Sequence, residues 1–191
     1  MSIKCFMIEP TDRARAWLRR FTYKQKSCPF TTWGHDAMAQ IEDVAVVEMD
    51  NGCHKTTPED WPHDDPRWPA TCQCGYVFQE EDRWQLFAHR IYVRPDTGDK
   101  YTLYHGDPDT APPGAMYYAP WMPEQWRGPD GRTLMVRVPG NHAWCVDGPA
   151  TGGGKWERTG EPPNVTATPS IWANAPHGWH GWLTNGELHE V

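Results

Sequence analysis

Proline and glycine interrupt this chain so often that little room is left for long helices: nineteen prolines and seventeen glycines stand among 191 residues. Proline lacks the amide that a helix interior or a central strand needs. Glycine loses the most backbone freedom on folding, so both residues punctuate regular structure instead of extending it. Such punctuation predicts short strands and hairpins joined by long ordered loops. The twelve tryptophans of the chain must then fill a shallow core or form contact surfaces, since each joins a large apolar body to one polar handle. The expected fold class is mainly β, a β-rich α+β arrangement. It has short antiparallel strands and hairpins, long Pro/Gly/Trp-rich loops and one short N-terminal helix.

Local signals place the elements. Ile3 to Ile8 reads as a first strand. Thr11 is placed to cap a helix from Asp12 to about Arg20, with an acid at its start and arginines at its end, as the helix dipole favours. Ile41 to Met49 reads as a second strand ended by Asp50-Asn-Gly52. Trp84 to Arg94, the turn Pro95-Asp-Thr-Gly98 and Lys100 to Tyr104 make a hairpin. Ala115–Tyr118, Thr133–Val138 and His142–Val146 follow as short strands, and Gly152-Gly-Gly154 and Glu161-Pro-Pro163 mark a loop. At the C-terminus Asn185-Gly186 is the preferred two-residue hairpin turn. That register pairs Leu183 with Leu188 on one face and Trp182 with His189 on the other, the face that His180 shares. Two parts are expected: residues 1–105, β-rich with a zinc knuckle, and residues 106–191, β-rich and ending in the hairpin. The two can share one core.

A formal net charge of −7 argues against general nucleic-acid binding, which rests on neutralising phosphates. The four arginines of Arg13-Ala-Arg-Ala-Trp-Leu-Arg-Arg20 are read as the solvated basic face of the expected helix. The N-terminus has no signal-peptide pattern, and no stretch approaches the ~20 apolar residues of a membrane span. The expectation is a soluble protein with no membrane partner.

The chemistry of the chain is concentrated in its thiols, at positions 5, 28, 53, 72, 74 and 145. With no secretion signal a disulfide framework is not expected. Cys72-Gln-Cys74-Gly75 is the most informative stretch. Two sulfurs on one tetrahedral zinc lie roughly 3.8 Å apart, whereas residues i and i+2 of an extended strand sit about 6.5 Å apart. The chain must therefore bend into a knuckle, and Gly75 supplies the freedom for it. Cys28 and His35 in a preceding loop complete a Cys3His set with Cys72 and Cys74. Cys53, His54 or His63 are the rival ligands. Four protein ligands leave no open position, so such a zinc site is structural.

Other candidates are weaker. Cys5 is read as a core residue. Cys145 with His142 is disfavoured as a nucleophilic pair, because strand alternation points the two to opposite faces. His177-Gly-Trp-His180 has no fixed metal geometry outside a helix and is read as aromatic packing. Asp64, Asp65, Asp107 and Asp109 are read as turn residues. None of the three serines lies in a nucleophile-elbow pattern.

Several stretches resemble uncharacterised proteins of tailed bacteriophages. They are Met1-Ser-Ile-Lys-Cys-Phe-Met-Ile-Glu-Pro10, Arg67-Trp-Pro-Ala-Thr-Cys-Gln-Cys-Gly-Tyr-Val-Phe78, Pro112-Pro-Gly-Ala-Met116, Gly128-Pro-Asp-Gly-Arg132 and Trp179-His-Gly-Trp-Leu-Thr-Asn-Gly-Glu-Leu188. With Thr168-Pro-Ser-Ile171, the last also resembles a small phage and bacterial domain of unknown function. In such relatives the cysteine stretch looks like W-P-x-x-C-x-x-C-G, one residue longer than here, and this resemblance favours zinc. It implies a virion-associated structural or accessory protein of head or tail, made in the bacterial cytoplasm, whose partners are other virion proteins or further copies of itself. Two other expectations are a metal-dependent enzyme using His142, His177, His180 or His189, and a phage protein that binds a host factor.

Overall fold

The structure, a computed structural model, describes residues 2–22, 28–32, 34–48, 54–56, 61–104, 109–140, 142–150, 154–173 and 178–191. Cys53, Asp107, His177, the turn at 50–52, Gly152 and the side chain of His54 lie outside the described residues. The chain forms two compact units, one holding Met1–Pro10 with Tyr92–Val191, the other Thr11–Met49 with His54–Ile91.

The strands in chain order are β1 (Ser2–Lys4), β2 (Phe6–Met7), β3 (Glu9–Phe21), β4 (Asp36–Glu48), β5 (His54–Thr56), β6 (Arg83–Val93) and β7 (Lys100–Tyr101). They continue with β8 (Ala115–Tyr118), β9 (Leu134–Val138), β10 (His142–Cys145), β11 (Glu157–Thr159), β12 (Thr166–Trp172), β13 (His180–Thr184) and β14 (Glu187–Glu190). Among the described residues, helical structure is confined to a 3-10 turn at Glu124–Trp126. The mainly-β expectation therefore holds, and among the described residues no helix is long and apolar enough to cross a membrane.

In the unit holding the C-terminus, one sheet runs β1-β14-β13-β12-β11 and a second runs β10-β9-β8-β2. Neighbours are antiparallel except β2 and β8, which are parallel. Leu134, Val136 and Val138 alternate along β9 and pack with Met116 against Ala167, Ile171, Leu183 and Leu188 of the other sheet. Met135 points to the opposite face, where it packs with Ile8, Tyr92, Ala115 and Tyr117. A sheet covered on both faces loses simple alternation, which is why all five residues of β9 are buried. Each fully buried Leu or Val contributes about 1.5–3 kcal/mol relative to an exposed one.

The expected first strand divides at Cys5. β1 pairs with β14 in one sheet and β2 with β8 in the other. The Cys5 amide donates to the Gly186 carbonyl at 2.7 Å and the Phe6 amide to that of Gly114 at 3.0 Å, so the chain changes sheets there. The terminal hairpin has the expected register, with Leu183 opposite Leu188 and Trp182 opposite His189. Asn185 and Gly186 take φ of 46° and 75°, the left-handed pair that this turn requires. The Pro95–Gly98 turn likewise joins β6 to β7, with Val93 opposite Lys100.

The expected helix from Asp12 to Arg20 is instead strand β3, paired antiparallel with β4 from Arg13↔Ala45 to Phe21↔Asp36. The residues explain the correction. Ala14, Ala16, Leu18 and Arg20 are buried while their neighbours are more exposed, a period of two that the arginines had disguised as a basic helical face. A cap and a favourable dipole stabilise a helix by about 1 kcal/mol each, less than a paired ladder gains with an apolar face turned into a core. That core joins Ala16, Leu18, Ile41 and Trp68 to the partly buried Trp61 and Trp84. Arg20 reaches into it, its guanidinium 3.4 Å from the centre of the Trp84 ring and donating to the Gln79 carbonyl at 2.5 Å.

Candidate metal centre

The end of the β3–β4 ladder positions the first half of the site. The Thr22 amide donates to the His35 carbonyl at 2.9 Å, and the His35 amide donates to the Thr22 hydroxyl at 2.9 Å. His35 is thus fixed at the step before β4, and Cys28 stands in a small loop bridged to Thr31. The second half is a tight hairpin. Thr71 pairs with Val77, the Cys72 amide donates to the Tyr76 carbonyl at 2.9 Å, and the Gly75 amide closes on the Cys72 carbonyl at 2.9 Å. Gly75 sits at φ +90°, a conformation that costs little only for glycine. The knuckle expected from the spacing is present.

These two halves bring Cys28, His35, Cys72 and Cys74 together, with one ligand atom from each and all four within 4.8 Å of one another. The Cys28 and Cys72 sulfurs are 3.8 Å apart and His35 Nδ1 is 3.1 Å from Cys74 Sγ. The first distance equals the roughly 3.8 Å spanned by two thiolates on a tetrahedral ion. Cys72 and His35 are buried, and Cys28 and Cys74 half-buried. Three soft sulfurs with one imidazole form a donor set suited to a metal ion.

The thiols differ in acidity. Burial opposes ionisation of Cys72, yet hydrogen bonds from the backbones of Cys74 and Asp36 and from the His35 and Cys74 side chains bring it down to about 6. Cys74 is favoured as thiolate by the Tyr76 backbone, but burial and the sulfurs of Cys72 and Cys28 outweigh this and push it up. Neighbouring sulfurs that cannot all hold negative charge cheaply are what a cation would relieve.

A supporting shell holds the imidazole. The His35 ring lies flat on Tyr76, with centres 4.0 Å apart and planes at 3°. The Tyr76 hydroxyl donates to Asp82 at 2.9 Å, and the same Asp82 oxygen accepts the Gln79 amide at 2.8 Å. Tyr76 was legible as the aromatic residue directly after Cys-x-Cys-Gly. Asp82 was not, because an acid in a turn carries no signal of a buried partner.

The remaining sequence candidates lie elsewhere. His63 stacks on Trp84 at 4.3 Å and does not join the cluster. Cys5 is a core residue whose thiol burial pushes up to about 12. Cys145 packs beside Gly148, and its thiol too is raised, chiefly by burial, which disfavours a nucleophile there. His180 packs on Trp172 and contacts Ser170 at 3.3 Å, while His189 lies 3.7 Å from Glu187. Asp65 holds Arg67 and the Trp61 indole in a turn, and Arg67 keeps its carboxyl well below the usual range. Among the described residues, no other group of three or more histidine, cysteine or acidic side chains converges in this way.

The Gly75 geometry gives a test. No atom lies within 4 Å of where a β-carbon would sit, so Gly75→Ala meets only backbone strain. That strain costs about 1–2 kcal/mol, and it is expected to lower the melting temperature and loosen metal uptake without unfolding the chain. Thermal melts with and without added zinc measure both effects.

Comparison with family models, with curated proteins and with solved structures gives no match for this chain.

Proposed function

We propose that this protein is a bacteriophage virion-associated structural or accessory component, of head or tail, stabilised by a structural zinc ion on Cys28, His35, Cys72 and Cys74. The observation that carries the metal reading is the convergence of three sulfurs and one imidazole from two separate loops. Zinc suits this donor set, and four protein ligands close its tetrahedron, leaving no position for a reacting water. The role is therefore to fasten the loop at Cys28 and the knuckle at Cys72 to the end of the β3–β4 ladder.

The virion reading is supported by the phage-like stretches of the sequence and by large side chains held at the surface. Phe30 and Trp121 are 58% and 38% exposed, as suits a protein that packs against others. Its partners would be other virion proteins or further copies of this chain. Quantitative mass spectrometry of purified particles of the encoding phage tests it. The protein is expected at a fixed copy number per particle, and its absence from particles would overturn the assignment.

A further inference from the structure

Four tryptophans, Trp126, Trp144, Trp156 and Trp172, converge on one open cleft of about 350 Å³ beside the edge strand β10, with His142 and Cys145 also in its wall. Trp144 and Trp156 meet edge to face, their centres 5.0 Å apart and planes at 87°. The Trp156 indole donates to the Pro169 carbonyl at 3.1 Å, which fixes its ring. Trp172 stands at the mouth. It is paired across the sheet with His180, and Trp182 lies two residues further along β13 on the same outward face. Cross-strand diagonal positions are separated by about 7–8 Å, so the exposed rings of Trp172 and Trp182 continue the cleft as a track. Ser170, Thr168, His180 and His189 flank the track with hydroxyls and imidazoles, and Glu187, 3.7 Å from His189, and Glu157, opposite Thr168, add carboxylate acceptors at its edge.

Among the described residues, those lining the cleft include no lysine, arginine, aspartate or glutamate. Lys155, whose charge is felt at Cys145, is not a wall residue, and its ammonium donates to the Arg127 carbonyl at 2.7 Å. A charged ligand would find no counter-charge in the wall itself, and a purely apolar one would leave hydroxyl and imidazole groups unmatched. An uncharged ligand with flat C–H faces edged by hydroxyls matches both requirements. We propose that this cleft and track bind a neutral saccharide chain, specifically a β-1,4-linked pyranose polymer. Its equatorial linkages present flat C–H faces to successive indoles and direct hydroxyls to the flanking polar side chains. The site lies in the unit holding the C-terminus and stands whether or not the protein is a particle component.

The test titrates cellohexaose, chitohexaose, maltohexaose and choline into the full chain, followed by tryptophan emission and calorimetry. One or both β-1,4-linked hexaoses are expected to bind saturably in the micromolar to millimolar range. Trp172→Ala should weaken binding about tenfold and Trp182→Ala by several fold, the scale of a lost aromatic contact. Both rings are exposed, so the variants should keep the parent's melting temperature. Trp121→Ala, outside the cleft, should bind like the parent. Failure of both β-linked hexaoses at millimolar concentration, preference for maltohexaose or choline, or full binding by the Trp172→Ala/Trp182→Ala double variant would each overturn the proposal.

Discussion

Cys72→Ser is expected to lower zinc affinity by more than roughly 100-fold, since even the supporting residues of metal ligands cost 10–100-fold when removed. Cys72 is the most buried of the three clustered thiols and is the one brought down to about 6. It supplies a thiolate at neutral pH at little deprotonation cost. Protein purified without chelator should carry one zinc per chain by elemental analysis, and the serine variant far less than one. A metal held by Cys28, His35, Cys72 and Cys74 would tie the Cys28 loop and the knuckle to one ladder end, so chelation should also raise hydrogen exchange around residues 28–36 and 70–78 while sparing β9 and β12–β14. Affinity should fall as pH is lowered, because protons compete for the sulfurs. Parent protein without stoichiometric metal, or a serine variant that retains it, would sink the zinc reading.

The second large effect is expected at a buried ion pair in the unit holding the C-terminus. Arg158 Nε donates to Asp147 Oδ1 at 2.8 Å, with both side chains 1% exposed, and Nη2 reaches Asp130 at 2.6 Å. The other Asp147 oxygen accepts the Leu134 amide at 2.8 Å. Gly128 makes room, since a methyl there would overlap both Arg158 and Asp147. Arg158→Met leaves the Asp147 carboxylate buried without its cation and should cost about 3–5 kcal/mol, read from urea denaturation. The sign of its pH dependence follows. Burial already pushes the Asp147 carboxyl up, and the Leu134 amide and Arg158 pull against it. Without Arg158 it rises further, so the folded variant binds a proton more readily than the unfolded chain. The deficit is then full at neutral pH and shrinks as pH falls through the raised value. An unchanged urea midpoint at neutral pH would show that the pair contributes nothing.

Where the sequence was legible, two independent signals agreed. Asn185-Gly186 supplied the turn and the flanking leucines the register, and both appear as expected. The convergence of Cys72 and Cys74 with Cys28 and His35 was legible in part because donor type, spacing and a flexible glycine coincide around Cys72 and Cys74. The choice of Cys28 and His35 over His63 could not be fixed by spacing, since it depends on how β3 and β4 end side by side. The largest error, the helix at Asp12–Arg20, arose where local signals competed with a long-range one. Capping by Thr11 and arginines near the end are visible in a short window, whereas pairing that runs from Phe21 with Asp36 to Arg13 with Ala45 is not. The Arg158–Asp147–Asp130 network was equally hidden, because each member looks like a surface charge until two sheets close over it.

The route of the chain through its two units has a further consequence. The unit made of Thr11–Met49 and His54–Ile91 is inserted in sequence between parts of the other, which holds Met1–Pro10 as well as Tyr92–Val191. The insertion also closes its own ends, with the Thr11 hydroxyl donating to the Ile91 carbonyl at 2.7 Å and Arg90 to the Thr11 carbonyl at 2.6 Å. During synthesis the unit holding the Cys28–Cys74 cluster emerges whole and is expected to fold first, while β1 and β2 wait for β14 and β8 to be made. Strands β14 and β8, made after the insertion, are therefore what capture β1 and β2, and deleting either partner of these pairs should disable the same unit.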